Sequence, residues 1–203
     1  MGLVRRDSTA APRDTDPRTL RERLTDADAD VRRRAALGLG GAAEAVPDLL
    51  ARVAVETDPA VRDAILTTLA ALDHAEVAAG LVPHLASDDA ALRTAVAGTL
   101  ATMPASVPAL LPRLLADPDH HVRIMTAMVL ADLPHPGTGE WLAGIVANDP
   151  HPNVVAAAVD ALLPMAGRDH VTVLESARAR FPEDPFLRFA VDAALPSLRE
   201  AAT

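Results

Sequence analysis

Six segments of this chain recur at intervals of 30 to 33 residues, and that period restricts the fold more than any other feature. They are VRRRAALGL from 31, VRDAILTTL from 61, LRTAVAGTL from 92, VRIMTAMVL from 122, VVAAAVDAL from 154 and LRFAVDAAL from 187. Each opens on an aliphatic residue and closes on Leu eight positions later, and Arg stands second in five of the six. Apolar residues four apart share one face of a helix, so each segment reads as an amphipathic helix. Upstream of each lies an acidic turn, often with Pro: DADAD, TDPA, SDDA, DPDHH, NDPHPN and PEDP.

A second helical pattern fills the intervals: AAEAVPDLLARV (42–53), AEVAAGLVPHL (75–85), SVPALLPRLL (106–115), GEWLAGIV (139–146) and VTVLESARAR (171–180), with PRTLRERL (17–24) as a shorter first copy. Each unit is therefore helix A, an acidic turn and helix B. Acidic residues and Pro belong where helix B starts, because they cap free N–H groups and suit the helix dipole. Half the residues are apolar, yet there are only three Phe, one Trp and no Tyr. A core of Ala, Leu and Val suits closely packed helices and disfavours a β-sandwich.

The D-P-x-V-R-x-x-A-x-x-x-L pattern resembles the HEAT-repeat superfamily, and within it the short-repeat branch named after phycobilisome lyases. The resemblance covers about residues 17–200. It implies an all-α fold, a right-handed α-solenoid of about six HEAT-like helix pairs. The expected units are 17–41, 42–73, 74–103, 104–134, 135–167 and 168–203, after a flexible tail over 1–16. One unit cannot bury its own apolar face, so stacked neighbours share a continuous core. Pro47, Pro83 and Pro112 fall inside helix A patterns and are expected to bend those helices.

Composition removes several function classes. Cysteine is absent and all nineteen basic residues are Arg, which excludes disulfides, thiolate ligands and Lys Schiff bases. No Gly-rich phosphate loop, G-x-S-x-G or H-E-x-x-H is present. Residues 1–34 hold nine Arg against seven acids, whereas 35–203 hold ten Arg against twenty-one acids. So acidic a body repels phosphate backbones, which argues against nucleic acid as partner. No apolar run approaches the length of a membrane span, and the start, MGLVRRDSTAAPRDTDP, has no apolar signal region. The Arg-only, Ala-rich usage points to a bacterial, cytoplasmic protein.

Numbering each helix B from its leading aliphatic residue as zero, positions 0, 4, 8 and 11 share the core face. Positions 2, 6 and 9 face the other way and would line the concave side if helix B is the inner helix, as the resemblance implies. That stripe reads Arg33, Leu37, Gly40; Asp63, Thr67, Ala70; Thr94, Gly98, Ala101; Ile124, Met128, Ala131; Ala156, Asp160, Leu163; Phe189, Ala193, Pro196. A merely solvated face would be rich in charge, and this one is not. An apolar patch with a polar rim marks a contact surface, and Met suits adaptable contacts. Asp63, Thr67, Thr94, Ile124, Met128, Asp160 and Phe189 are the expected partner-binding residues.

The Arg at position 1 recurs as Arg32, Arg62, Arg93, Arg123 and Arg188, with Val155 breaking the series. Recurrence suits a structural ladder, each Arg pairing with an acidic turn residue such as Asp58, Asp89 or Asp119. His120, His121 and His151 fall in successive A–B turns, while His74, His135 and His170 fall in loops at the other edge. An ion at Asp119, His120 and His151 is geometrically conceivable, because adjacent turns stack about a helix diameter apart. Loop His and Asp beside Pro serve commonly as caps, so no metal is assigned. Trp141 aligns with Leu110 of the preceding unit and is expected in the core.

The sequence therefore favours a non-enzymatic scaffold or adaptor that holds a protein or peptide in the solenoid's groove, with no cofactor; the same stripe would equally serve a homodimer. The alternative is a lyase-like or other small-molecule enzyme using that groove. A HEAT-like DNA glycosylase ranks lower, since it needs a basic concave face with aromatic residues.

Overall fold

The computed structural model describes residues 16–200. The tail expected over 1–16 lies, Asp16 apart, outside them. Among the described residues all regular structure is helical, in six pairs. The pairs are α1 (Pro17–Arg23) with α2 (Ala29–Gly38), α3 (Val46–Val53) with α4 (Pro59–Ala70), and α5 (Ala75–Leu81) with α6 (Ala90–Ala101). There follow α7 (Leu111–Leu115) with α8 (His120–Asp132), α9 (Thr138–Asn148) with α10 (Pro152–Leu162), and α11 (Val171–Arg180) with α12 (Pro185–Glu200). This is the all-α, solenoid-like repeat class the period demands; five of the six recurring segments lie inside the second helix of a pair, and the first ends on Leu39, the C-cap of α2.

The chain forms two compact units, one ending at Thr68 and the other beginning at Leu69. In the first, α1 packs on α2. Gly38 admits this approach, because a Cβ there would stand 3.0 Å from Leu20 Cδ1. Thr68 Oγ1 ties α4 to α2 by donating to the Ala36 carbonyl at 3.0 Å. In the second unit the B helices pack in sequence, α6 on α8, α8 on α10 and α10 on α12, while α9 packs on α10 and α11.

The core follows the expected phase. Ala35, Leu39, Val61, Ile65, Leu69, Leu92, Val96, Leu100, Val122, Leu130, Val154, Ala158, Leu162, Leu187, Val191 and Leu195 are all buried. Thr126, the one hydroxyl in that series, is buried with its Oγ1 donating to the Val122 carbonyl at 2.8 Å. Met165, at position 11 of the fifth unit, is exposed, because the chain leaves α10 through a 3-10 turn at Leu163–Met165.

The prolines divide the A helices rather than bending them. Pro47 and Pro112 sit in the first turn of α3 and α7, each preceded by a separate 3-10 segment, Ala43–Ala45 and Val107–Leu110. Pro83 lies in a 3-10 segment, Val82–Ala86, that follows α5. A residue with no N–H is accommodated most cheaply where a helical segment begins, since the N–H it lacks has no partner there.

Candidate partner-binding face and the turn edge

The acidic turns share one hydrogen-bonding scheme. Each helix B except α10 opens on an Asp whose carboxylate accepts backbone N–H groups of the first turn: Asp28, Asp58, Asp89, Asp119 and Asp184. In α10 the cap is His151, whose Nδ1 accepts from the Asn153 N–H at 3.2 Å. Two residues before the cap, a second side chain accepts the cap's own N–H, from Asp26, Glu56, Ser87, Asp117 and Asp149 in turn. A turn built this way leaves few N–H groups without a partner.

The position-1 Arg completes the turn. Arg32, Arg62, Arg93 and Arg123 each donate to the carbonyl six residues back, those of Asp26, Glu56, Ser87 and Asp117. Asp58, Asp89 and Asp119, expected as carboxylate partners, cap their helices. For Arg32 and Arg123 the carboxylate partner is the residue two before the cap of the following helix B. Arg32 holds Glu56 through two bonds of 2.9 Å, and Arg123 holds Asp149 at 2.7 and 3.2 Å. Burial pushes the Glu56 carboxyl up, but hydrogen bonds from Arg32, the Asp58 N–H and Arg52 outweigh it and hold the group down, at about 2. Asp149 is lowered in the same manner, with burial opposing and Arg123 prevailing.

The fifth unit, where Val155 replaces Arg, is completed from elsewhere. Arg180, at the end of α11, donates to the carbonyls of Val146, Ala147 and Asp149, the last at 2.7 Å. Asp149 is the residue six before Val155, so Arg180 serves the carbonyl that a ladder Arg would have served. Arg188 is exposed on α12 and lines a shallow hollow with Glu175 and Arg178.

Helix-B positions 2 and 6 face solvent in both units. In the first unit Arg33, Leu37, Asp63 and Thr67 surround a hollow of about 210 Å³ between α2 and α4. In the second, Thr94, Gly98, Met128, Asp160 and Phe189 are exposed and Ile124 and Ala156 half-buried. Met128 is 44% and Phe189 75% exposed, large values for such apolar side chains. Position 9 differs from expectation in the middle of the series: Ala101 is buried and Ala70, Ala131 and Leu163 half-buried, while Gly40 and Pro196 are exposed. From α4 to α10 the exposed stripe is thus narrower than the sequence reading.

Two further features lie outside the helix-B stripe. A cavity of about 540 Å³ opens beside α9, lined by Leu115, Asp117, Arg123, Glu140, Trp141 and Asp149 among others. Trp141 is only half-buried; its ring stacks on His135 at 4.6 Å rather than joining the core. The second is a histidine cluster at the turn edge. His120 stacks on His151 with centroids 4.0 Å apart and planes 12° from parallel, and lies 4.0 Å from His121 as well. His121 Nδ1 is 3.1 Å from Asp119 Oδ1. Hydrogen bonding from His121 lowers the Asp119 carboxyl, the backbone N–H leading. Burial, followed by the nearby His121 and His151 rings, lowers His120.

A family model described as HEAT repeats matches residues 17–101 and 107–196. The chain belongs to the HEAT-repeat family. Among solved structures, two engineered proteins align with this HEAT-repeat chain at 20% and 19% identity, over 91% of it and 97% and 99% of their own lengths, each with a TM-score of 0.41. The complex of CpcE and CpcF of phycocyanin lyase from Nostoc sp. aligns at 17% identity over 98% of this chain and 100% of that one, with a TM-score of 0.39. No curated protein matches it in sequence. None of the described helices is long and apolar enough to cross a membrane.

Proposed function

We propose that this HEAT-repeat protein is a binding scaffold whose helix-B face holds a protein or peptide segment. The observation that carries the reading is the contrast along each helix B: positions 0, 4 and 8 are almost all buried, yet positions 2 and 6 leave Leu37, Met128 and Phe189 in solvent. Exposed apolar side chains lose water-accessible area when a partner docks. Ile124, Met128 and Phe189 are the apolar anchors, with Thr94 as a hydrogen-bonding neighbour and Asp160 as a carboxylate for a basic or amide-bearing group. Asp63 and Thr67 do the same in the first unit's hollow. Anchors of this kind, set in a polar surround, supply most of the binding energy of a helical groove.

The test is capture of partner from the native host by wild type, Met128→Asp and Ala147→Asp. Ala147 is exposed on α9, away from the helix-B face. Loss of the captured partner with Met128→Asp alone supports the reading. Equal capture by all three refutes it.

A further inference from the structure

We propose that Asp119, His120 and His121 form a site for one borderline divalent cation of the Zn²⁺ class. The three residues offer ligand atoms that all lie within 4.8 Å of one another. Ligands of a single Zn²⁺ stand about 2.0–2.2 Å from the ion and hence roughly 3.5 Å apart, so small side-chain rotations close the set. Consecutive residues on a helix diverge by about 100°, which ordinarily separates neighbouring rings. Here the rings of His120 and His121 nonetheless lie 4.0 Å apart, tilted by 38°.

The surroundings hold the rings in place. Asp119 Oδ1 lies 3.1 Å from His121 Nδ1, close to the spacing of two ligand atoms on one ion, so Nδ1 is that ring's ligand atom. His151 stacks on His120 and fixes its plane. It is no ligand itself, because its Nδ1 accepts the Asn153 N–H and the neutral ring then carries its proton on Nε2. The N-terminal end of α8 disfavours a cation, and two features answer that. Asp119 brings a negative charge to the first turn, and the nearby Arg123 guanidinium is already paired with Asp149 at 2.7 Å. Two imidazoles and a carboxylate suit Zn²⁺ and its borderline neighbours, and three protein ligands leave a coordination position open. This site lies at the turn edge and is independent of the helix-B face.

Isothermal titration of the full, tag-free chain with Zn²⁺ alone, in metal-free buffer, tests it. The expected result is one equivalent bound, weakened at least tenfold by His120→Asn and by His121→Asn, and unchanged by His74→Asn in a separate loop. Far-UV circular dichroism checks that each variant folds; His121, the more exposed ring, is the safer replacement. Absence of saturable Zn²⁺ binding, or binding that His120→Asn and His121→Asn leave unchanged, overturns the proposal.

Discussion

Arg32 and Glu56 stand 24 residues apart in sequence and meet through two hydrogen bonds of 2.9 Å, Nε to Oε2 and Nη2 to Oε1. Glu56 is 1% exposed and also accepts from Arg52 and from the N–H groups of Thr57 and Asp58. Such a carboxylate is costly to bury and costlier to leave without its partner. Glu56→Gln should destabilise the protein by about 3 kcal/mol in urea denaturation.

The same pair sets an acid limit. A carboxyl held down at about 2 contributes stability that is present above its ordinary value near 4.5 and is lost as pH falls from there through about 2. The contribution is of order 3 kcal/mol at most. Wild type should lose stability across that window, and Glu56→Gln should show a shallower acid limb. Parallel acid limbs would mean that Glu56 is not held down.

Arg180 and Arg178 lie two residues apart and should behave differently. Arg180 serves three carbonyls at the end of α9, whereas Arg178 makes an exposed pair with Asp192 at 3.1 Å. Arg180→Gln should cost about 2 kcal/mol, since bonds from a charged donor to otherwise unmet carbonyls are the stronger kind. Arg178→Gln should cost under about 1 kcal/mol. Chemical denaturation of the two variants separates them.

Thr126 gives a prediction of little change. Its hydroxyl bonds a carbonyl that the helix already satisfies, so it adds little. Thr126→Val should keep stability within about 1 kcal/mol of wild type and leave the thermal midpoint nearly unchanged. A large loss would show that the hydroxyl holds the α8 core in place.

The repeat, the pairing of helices and the phase of helix B were legible in the sequence because they depend on side-chain period alone. Val61, Ile65 and Leu69 announce a buried face whatever surrounds them. The Arg ladder was legible as a recurrence but not in its chemistry. Its shared acceptor is a backbone carbonyl six residues back, and backbone groups leave no mark in a residue pattern. The role of Arg180 was hidden for a related reason: it reaches the Asp149 carbonyl from 31 residues away, and only the fold brings them together. Trp141 was misplaced because alignment with Leu110 carries over a position, whereas the ring's size and its His135 neighbour decide its exposure. The His120 stack depends on two turns lying side by side, which the period allows but does not require.

The account rests on helix B, and not helix A, presenting the binding face. Its most direct measurement is site-specific photo-crosslinking to the captured partner, with the photoreactive residue at position 128 in one variant and at position 147 in another. Crosslinks from 128 and none from 147 are the expected result. Crosslinks from 147 and none from 128 would place the partner on the α9 side and contradict the account.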